Sequence, residues 1–158
     1  MPDAYSRPYL DSSVYIAAIK REKNRVSTAE RIMRDASEGR LHIVAATFVI
    51  TEVYKGKDGL PLTVQQEQVI DEYFQHEFIT WVELDMLVAR DARRLARQHG
   101  LKPADAVHLA SAIKGGADQV LRWDDKFRLK NGRYEGVTVG EPHLVGRPEP
   151  LPGLDATS

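Results

Sequence analysis

The sequence predicts an α/β domain with a mostly parallel central sheet of about four to five strands. Short apolar or β-branched runs alternate along the chain with helical patterns of roughly 10–15 residues, which is typical of β-α-β units. The chain has 158 residues, of which 42% are hydrophobic and 28% are charged. This length and balance are typical of one globular domain that buries its own core.

Composition excludes several functional classes. The absence of cysteine excludes disulfides, thiolate metal sites and cysteine nucleophiles. Twenty-two basic and 23 acidic residues give a net charge of −1, which excludes a globally basic nucleic-acid-binding protein but allows a local basic surface. The first residues lack a signal-peptide pattern, and no apolar run approaches the ~18 residues of a membrane span. We therefore expect a cytoplasmic protein.

The first strand and the first helix meet at a carboxylate. Tyr9 and Leu10 are predicted to end a buried strand, and Asp11 follows them directly. Ser12 and Ser13 have side chains that suit a helix N-cap, and the apolar positions that follow them predict a helix. The strand therefore leads into a helix with an acid at the junction.

The next segment predicts a second helix, a second strand and a third helix. Ser27 and Glu30 have the spacing of a capping box at the start of the second helix. Residues 41–46 are apolar except for one histidine and have the length of a buried strand. Thr47 is expected to cap the third helix, which should reach residue 55.

The middle of the chain alternates in the same way. Residues 63–76 show helical spacing of apolar side chains, and residues 78–82 are β-branched and aromatic, which favours a strand. An amphipathic pattern over residues 84–95 predicts another helix. Pro103 suits the first turn of a helix over residues 104–113, which is so apolar that it must be covered on more than one side.

The last part of the chain predicts two final strands and a tail. Residues 119–123 favour a strand that ends at two consecutive aspartates, and residues 136–139 favour an edge strand. Four of the eight prolines follow residue 140. We therefore expect a domain over residues 1–140 and an extended, Pro-rich C-terminal tail over residues 141–158.

Several signatures of nucleotide-binding and hydrolytic α/β proteins are missing from the sequence. No Gly-x-Gly-x-x-Gly follows a strand, no P-loop pattern exists, and no Gly-x-Ser-x-Gly elbow is present. A phosphotransferase of the Asp-x-Asp type would need an acid where the chain has Ser13. The histidines show no metal-binding pair, and His-Glu-x-x-His is absent. The chemistry that remains is that of carboxylates.

Four acidic residues lie at or near the carboxyl ends of predicted strands, where α/β proteins usually have their active sites. Asp11 and Asp124 follow strands, and Asp105 lies in the first turn of the most apolar helix. Glu52 lies on a helix between two strands. Because the carboxyl ends of parallel strands meet at one crevice, we expect these acids to converge. Taken singly, each has another explanation: a helix cap, the helix dipole, a salt bridge or a turn.

Clustered carboxylates need a cation. Two like charges ~4 Å apart repel by about 4 kcal/mol at an effective dielectric constant of roughly 20. Mg²⁺ or Mn²⁺, which accept oxygen ligands, would offset this repulsion. Such an ion also polarises a phosphodiester and activates a water molecule. The reaction class that follows is metal-assisted hydrolysis of a phosphodiester.

Three motifs resemble those of a known family. They are Tyr-Leu-Asp11-Ser-Ser-Val, Leu101-Lys-Pro-Ala-Asp105-Ala-Val-His-Leu-Ala-Ser-Ala112 and Trp123-Asp124-Asp-Lys-Phe127. Together with Glu52 in a helix after the second strand, they resemble PIN-domain ribonucleases. Their order and spacing over residues 9–140 are similar to those of the VapC-like toxins, and the helix motif is the most specific of the three.

The resemblance implies a three-layer α/β/α PIN-like fold and a Mg²⁺- or Mn²⁺-dependent endoribonuclease that acts on RNA. It also implies homodimerisation and inhibition by a small antitoxin protein. The acids that would hold the metal and activate water, carried over by position, are Asp11, Glu52, Asp105 and Asp124. The neighbouring residues that we regard as accessory candidates are Asp125 and Ser13.

Basic residues near the expected crevice are candidates for RNA contact, because a local basic surface suits a nuclease that follows the RNA backbone. The ones that we single out are Arg93, Arg97, Arg122 and Lys126. Arg122 departs from the family pattern, which often has Ser or Thr two residues before the final acid. Its charge either contacts a phosphate or weakens metal binding at Asp124.

Two alternatives to a PIN-type nuclease remain open. One is a non-catalytic PIN-like RNA-binding or regulatory module, which Arg122 favours and the complete set of acids opposes. The other is a nuclease of the RNase H type, which also uses an Asp/Glu quartet. That fold begins with antiparallel strands, whereas helices follow the first strand here.

Overall fold

A computed structural model describes residues 6–123 and 129–143 of the chain. These residues form a six-stranded sheet with helices around it, the three-layer α/β/α arrangement. In chain order the elements are β1 (Pro8–Leu10), α1 (Ser12–Ile19), α2 (Val26–Ser37), β2 (Ile43–Ala46), α3 (Thr47–Glu52), α4 (Val64–Phe74), β3 (Ile79–Val82), α5 (Met86–His99), α6 (Pro103–Lys114), β4 (Gln119–Leu121), β5 (Gly132–Tyr134) and β6 (Val137–Gly140). The predicted tail lies outside the described residues after His143.

The sheet has the strand order β3-β2-β1-β4-β6-β5. β1 lies near its centre and pairs in parallel with both neighbours, so that Tyr9 is opposite Val44 on one side and Val120 on the other. The pairs β2–β3 and β4–β6 are also parallel, and only β5 runs antiparallel. The prediction of a mostly parallel α/β sheet is therefore confirmed.

The edge strand β5 raises the number of strands to six, above the predicted range. Its sequence, Gly-Arg-Tyr, shows no alternation of apolar and polar side chains. It is formed by a hairpin with β6 in which Tyr134 lies opposite Val137. The two turn residues, Glu135 and Gly136, have φ angles of 48° and 89°, the left-handed values that a type I′ turn needs. The turn and the partner strand create β5, which local propensity does not indicate.

The starts of two helices differ from the prediction. Asp11, with an extended backbone, is the N-cap of α1, and its Oδ2 accepts a hydrogen bond from the Ser13 backbone N at 3.3 Å. Ser12 and Ser13 therefore lie inside the helix, because Asp caps as well as Ser does. Thr47 likewise lies inside α3, which has no side-chain cap and ends at Glu52 before the predicted end.

The capping box predicted at Ser27 and Glu30 does not form. α2 has no side-chain cap, and Glu30 Oε1 accepts a hydrogen bond from Arg21 Nη1 at 2.6 Å instead. A capping box does form at the start of α4, between Thr63 and Gln66. Side chains at capping-box positions can therefore bond either to the helix end or to a neighbouring side chain such as an arginine. The tertiary structure decides which of the two forms.

The core lies around the adjacent strands β1 and β2 and around α6. Every residue of β1 and β2 is buried, as expected for parallel strands covered on both faces. Seven of the 12 residues of α6 are buried, which agrees with the prediction that this helix is covered on several sides. No helix in the described ranges is both long and apolar enough to span a bilayer.

The C-terminal end of α6 packs so closely on the sheet that it has no room for a side chain. A Cβ atom on Gly115 would lie 2.3 Å from Val44 Cγ1 and 3.0 Å from Val82 Cγ2. We expect Gly115→Ala to lower the free energy of unfolding by about 1–3 kcal/mol, as overpacking does. Denaturant unfolding measures this, with Gly140→Ala as the control, because a Cβ there meets nothing within 4 Å. Equal losses in both variants would contradict the packing argument.

Candidate active site

Main-chain contacts hold Asp11 at the carboxyl edge of the sheet. Its backbone N donates to Leu121 O at 3.1 Å, which ties the end of β1 to the end of β4. The residue is only 2% exposed. One carboxylate oxygen caps α1, while Oδ1 lies 3.4 Å from Nε2 of His108. The fold therefore buries a carboxylate at the junction that the sequence indicated.

Glu52 reaches the same edge from α3. This helix begins directly after β2, without a connecting loop, so it starts where the strand ends. Glu52 is its last residue, and its side chain is 30% exposed. Its Oε1 lies 2.8 Å from His108 Nε2. Glu52 thus connects the buried cluster with the surface.

α6 contributes Asp105 and His108, which are both buried. Pro103 is the first residue of this helix and Asp105 lies in its first turn, where a negative charge is favoured by the helix dipole. His108 follows three residues later, a spacing that places two side chains on the same helix face. The sequence pattern did not indicate His108 as a site residue, because the histidines of the chain form no metal-binding pair. The signal that could have revealed it was this spacing from a candidate acid.

The side chains of Asp11, Glu52 and His108 form one compact cluster. Each offers one ligand atom, and these atoms all lie within 4.8 Å of one another. They come from β1, α3 and α6, which are far apart in sequence. Of the three predicted acids that the structure describes, Asp11 and Glu52 therefore converge as expected, around a histidine.

A cavity of about 650 Å³ opens above this cluster. Asp11, Ser13 and Glu52 line it, and so does Trp123, whose ring lies 5.4 Å from the Arg25 guanidinium. Three basic residues also line it, which we call the basic rim: Arg25, Lys55 and Lys57. Glu22 also lines the cavity and lies 3.7 Å from Arg25, so that the two lysines are the rim cations without an acidic partner in the described lining. The cavity therefore combines a buried acidic cluster with basic side chains around it.

Sequence comparison assigns the family of this chain. The model of the PIN domain matches residues 9–132. The chain belongs to the PIN domain family. No curated protein is similar enough in sequence to match it.

Solved structures share the fold of this PIN domain at low sequence identity. A toxin–antitoxin complex from Klebsiella pneumoniae matches with a TM-score of 0.59 and 16% identity, covering 83% of this chain and 95% of that one. VapC20 of Mycobacterium tuberculosis, a toxin that cleaves the sarcin–ricin loop, matches with a TM-score of 0.58 and 14% identity over 76% and 92% of the two chains. VapBC2 from Rickettsia felis, bound to a DNA fragment from its promoter, matches with a TM-score of 0.54 and 15% identity, covering 87% of this chain and 99% of that one. These similarities establish the fold.

The donor groups of this PIN domain fit a divalent cation. Two carboxylates and an imidazole nitrogen converge, and Asp105 is near enough for its charge to act on His108. Within the described ranges, His108 Nε2 is buried, and its 2.8 Å contact with Glu52 Oε1 is a charge contact that is not among the hydrogen bonds of the structure. A buried nitrogen aimed between carboxylates is the environment of a cation ligand.

The other predicted site residues differ in their placement. Asp124, Asp125 and Lys126 lie outside the described residues, so their roles stay predictions. Ser13 lines the cavity, and its Oγ accepts a hydrogen bond from the Trp123 backbone N at 2.9 Å. This contact fixes the chain just before the predicted fourth acid.

The arginines predicted to contact RNA lie in two different environments. Arg122 is buried, and its guanidinium donates to Leu129 O and, at 3.3 Å, to Asn131 Oδ1. Arg93 and Arg97 are exposed on α5, and the described lining of the cavity does not include them. The structure thus brings the basic rim, rather than these arginines, to the mouth of the cavity.

The acids around His108 control its protonation. Burial alone would lower the pKa of His108, but the contact with Glu52 and the negative charges of Asp11, Glu52 and Asp105 outweigh burial and raise the pKa above 6.5. An imidazolium in this position offsets the repulsion between the carboxylates. In the metal-free protein, the raised pKa therefore favours the protonated form of His108 more than burial alone would.

The environments of His108 and His42 shift their pKa values in opposite directions. In metal-free protein, we expect His108 to titrate above its ordinary value and His42, whose pKa is lowered by burial and by Arg7, to titrate below it. The stabilisation from protonated His108 is complete below the unfolded pKa of about 6.5 and is lost as the pH rises through the raised pKa. NMR of the ring signals in the presence of a chelator measures both. A His108 titration below that of His42 would contradict the prediction.

Proposed function

We propose that this PIN domain is a metal-dependent endoribonuclease that hydrolyses RNA phosphodiester bonds. The observation that carries the proposal is the convergence of Asp11 and Glu52 beside buried Asp105 and His108, at the floor of a cavity with a basic rim. A protein that only binds RNA gains nothing from buried carboxylates, because they repel phosphates. A nuclease needs them to hold a cation against the substrate.

We infer that Mg²⁺ or Mn²⁺ is the cofactor, held by Asp11, Glu52 and Asp105, with Asp124 as the predicted fourth ligand. Bound there, such an ion would supply polarisation of the phosphodiester and a water molecule of lowered pKa. The side chains of the protein position this ion and the substrate. Asp11 is fixed by its hydrogen bonds to the main chain, and partly exposed Glu52 connects the buried cluster with the open cavity.

The basic rim is the surface that we expect the RNA backbone to follow. Arg25, Lys55 and Lys57 surround the cavity, and Trp123 offers a ring at its edge. Cationic side chains attract the phosphates, and an aromatic ring can stack on an unpaired base. The rim therefore compensates for the negative floor of the site and brings a phosphodiester toward it.

We further propose that the protein is the toxin of a toxin–antitoxin pair, acts in the cytoplasm as a homodimer and is inhibited by an antitoxin protein. Two of the similar structures are described as toxin–antitoxin or VapBC assemblies, and the third is described as a toxin that cleaves the sarcin–ricin loop. Induced expression in a bacterium tests the toxin role. Wild type should arrest growth, whereas Asp105→Asn should not, at equal protein levels. Growth arrest by both proteins would contradict a toxicity that depends on the nuclease site.

Cleavage of total RNA tests the enzymatic activity. Wild-type protein should produce discrete fragments from a pool of tRNA and rRNA in the presence of Mn²⁺ or Mg²⁺, and EDTA should abolish them. The same protein should bind RNA with or without EDTA, because the basic rim does not depend on the metal. RNA binding without cleavage under every metal condition would favour the non-catalytic RNA-binding module.

A further inference from the structure

His108 occupies the centre of the acidic cluster, although the four predicted acids account for the proposed chemistry without it. Its side chain is only 3% exposed. Nε2 lies 2.8 Å from Glu52 Oε1 and 3.4 Å from Asp11 Oδ1, and it makes no hydrogen bond with any part of the chain that the structure describes. The fold thus aims a buried nitrogen at the place where the carboxylates converge.

The other ring nitrogen of His108, Nδ1, contacts the Tyr9 hydroxyl. The Tyr9 hydroxyl lies 2.6 Å from His108 Nδ1, and both side chains are buried. The rings of Tyr9 and Phe48 meet the imidazole edge-on, at centroid distances of 5.8 Å and 5.6 Å. When Nδ1–H donates to the hydroxyl oxygen, the lone pair of neutral His108 is on Nε2 and faces the acids. Metal-binding histidines are usually oriented by a partner of this kind on the second nitrogen.

We propose that His108 Nε2 is a direct ligand of the divalent cation that Asp11 and Glu52 bind, with Tyr9 as the residue that positions the ring. Two ligand atoms each bound about 2.1 Å from one ion at a right angle are about 3 Å apart, close to the distances from Nε2 to the two carboxylates. Coordination replaces any proton on Nε2, which leaves to solvent. The inference rests on the metal site of the proposed function but not on RNA cleavage.

A nitrogen ligand changes which ion the site prefers. Mg²⁺ favours oxygen ligands, whereas Mn²⁺ and the later first-row metals accept imidazole more readily. We therefore expect this site to bind Mn²⁺ more tightly than Mg²⁺. His108→Gln, which replaces the nitrogen ligand with an amide, should reduce that preference.

Electron paramagnetic resonance of the full-length protein loaded with Mn²⁺ alone tests the inference. Wild type should show magnetic coupling between the manganese electrons and a ¹⁴N nucleus, and His108→Gln should lose it. The Mn²⁺ dissociation constant should rise about 10- to 100-fold in Tyr9→Phe, where only the positioning group is lost, and by at least as much in His108→Gln, which loses the ligand itself. His42→Gln is the matched control and should retain both the coupling and the affinity, because His42 contacts Thr80 instead.

The outcomes separate this inference from the proposed function. Mn²⁺ binding without nitrogen coupling in wild type would overturn it, as would coupling that survives in His108→Gln. Absence of Mn²⁺ binding would overturn it as well. If His108→Gln does not fold, the wild-type spectrum and the Tyr9→Phe affinity still decide. If the protein binds Mn²⁺ with nitrogen coupling but cleaves no RNA, His108 is still a metal ligand, and the proposed nuclease function is wrong.

Discussion

Asp11→Asn is expected to lower the rate of RNA cleavage by about 10³-fold or more while the protein stays folded. The loss of one carboxylate removes a ligand and a negative charge from the cluster, and a barrier increase of about 4 kcal/mol corresponds to a factor of this size. The fold should survive because Asn caps helices as well as Asp does. The Asn side-chain oxygen can still accept the hydrogen bond from Ser13 N that Asp11 accepts.

Asp85→Asn is the matched control for this experiment. Asp85 is the N-cap of α5, and its Oδ1 accepts a hydrogen bond from Val88 N at 2.9 Å. The same change of side chain at an exposed cap should leave cleavage unchanged. Cleavage rates measured on one RNA pool, with circular dichroism to confirm folding, compare the two variants. Full activity in folded Asp11→Asn would refute the proposed site.

Reversal of charge at Lys55 and Lys57 is expected to weaken RNA binding at least about tenfold at low salt. Both side chains are exposed at the cavity mouth. Each phosphate contact that is lost should reduce the slope of log affinity against log salt by about 0.7 for single-stranded RNA. Binding is best measured in the Asp11→Asn background, so that the substrate stays intact during the titration.

The charge-matched control for the basic rim is the double variant Arg93→Glu and Arg97→Glu on α5. It changes the net charge of the protein by the same amount on a surface that the described cavity lining does not include. We expect a smaller loss of affinity and a nearly unchanged salt slope. A larger effect on α5 than at the rim would contradict the binding path that we propose and would support the arginines indicated by the sequence.

The sequence predicts this fold well because the signals for it are local. Apolar runs of strand length and amphipathic helices are set by neighbouring residues, so their alternation can be recognised without knowledge of contacts. The details at element ends are less predictable. Ser27 and Glu30 satisfy the pattern of a capping box, yet Glu30 contacts Arg21. β5 has no strand signal of its own and depends on pairing with β6.

The candidate site also combines features that the local sequence predicts with features that depend on tertiary contacts. The sequence by itself determined that Asp11 follows a strand and that Asp105 begins an apolar helix, because both positions depend on residues nearby. Only the tertiary structure decided that His108, oriented by Tyr9, lies between Asp11 and Glu52, since these side chains come from β1, α3 and α6. It also decided that the basic rim lies at the cavity, whose described lining includes no residue of α5. Contacts between distant segments depend on how the sheet and helices pack, and no local pattern in the chain encodes them.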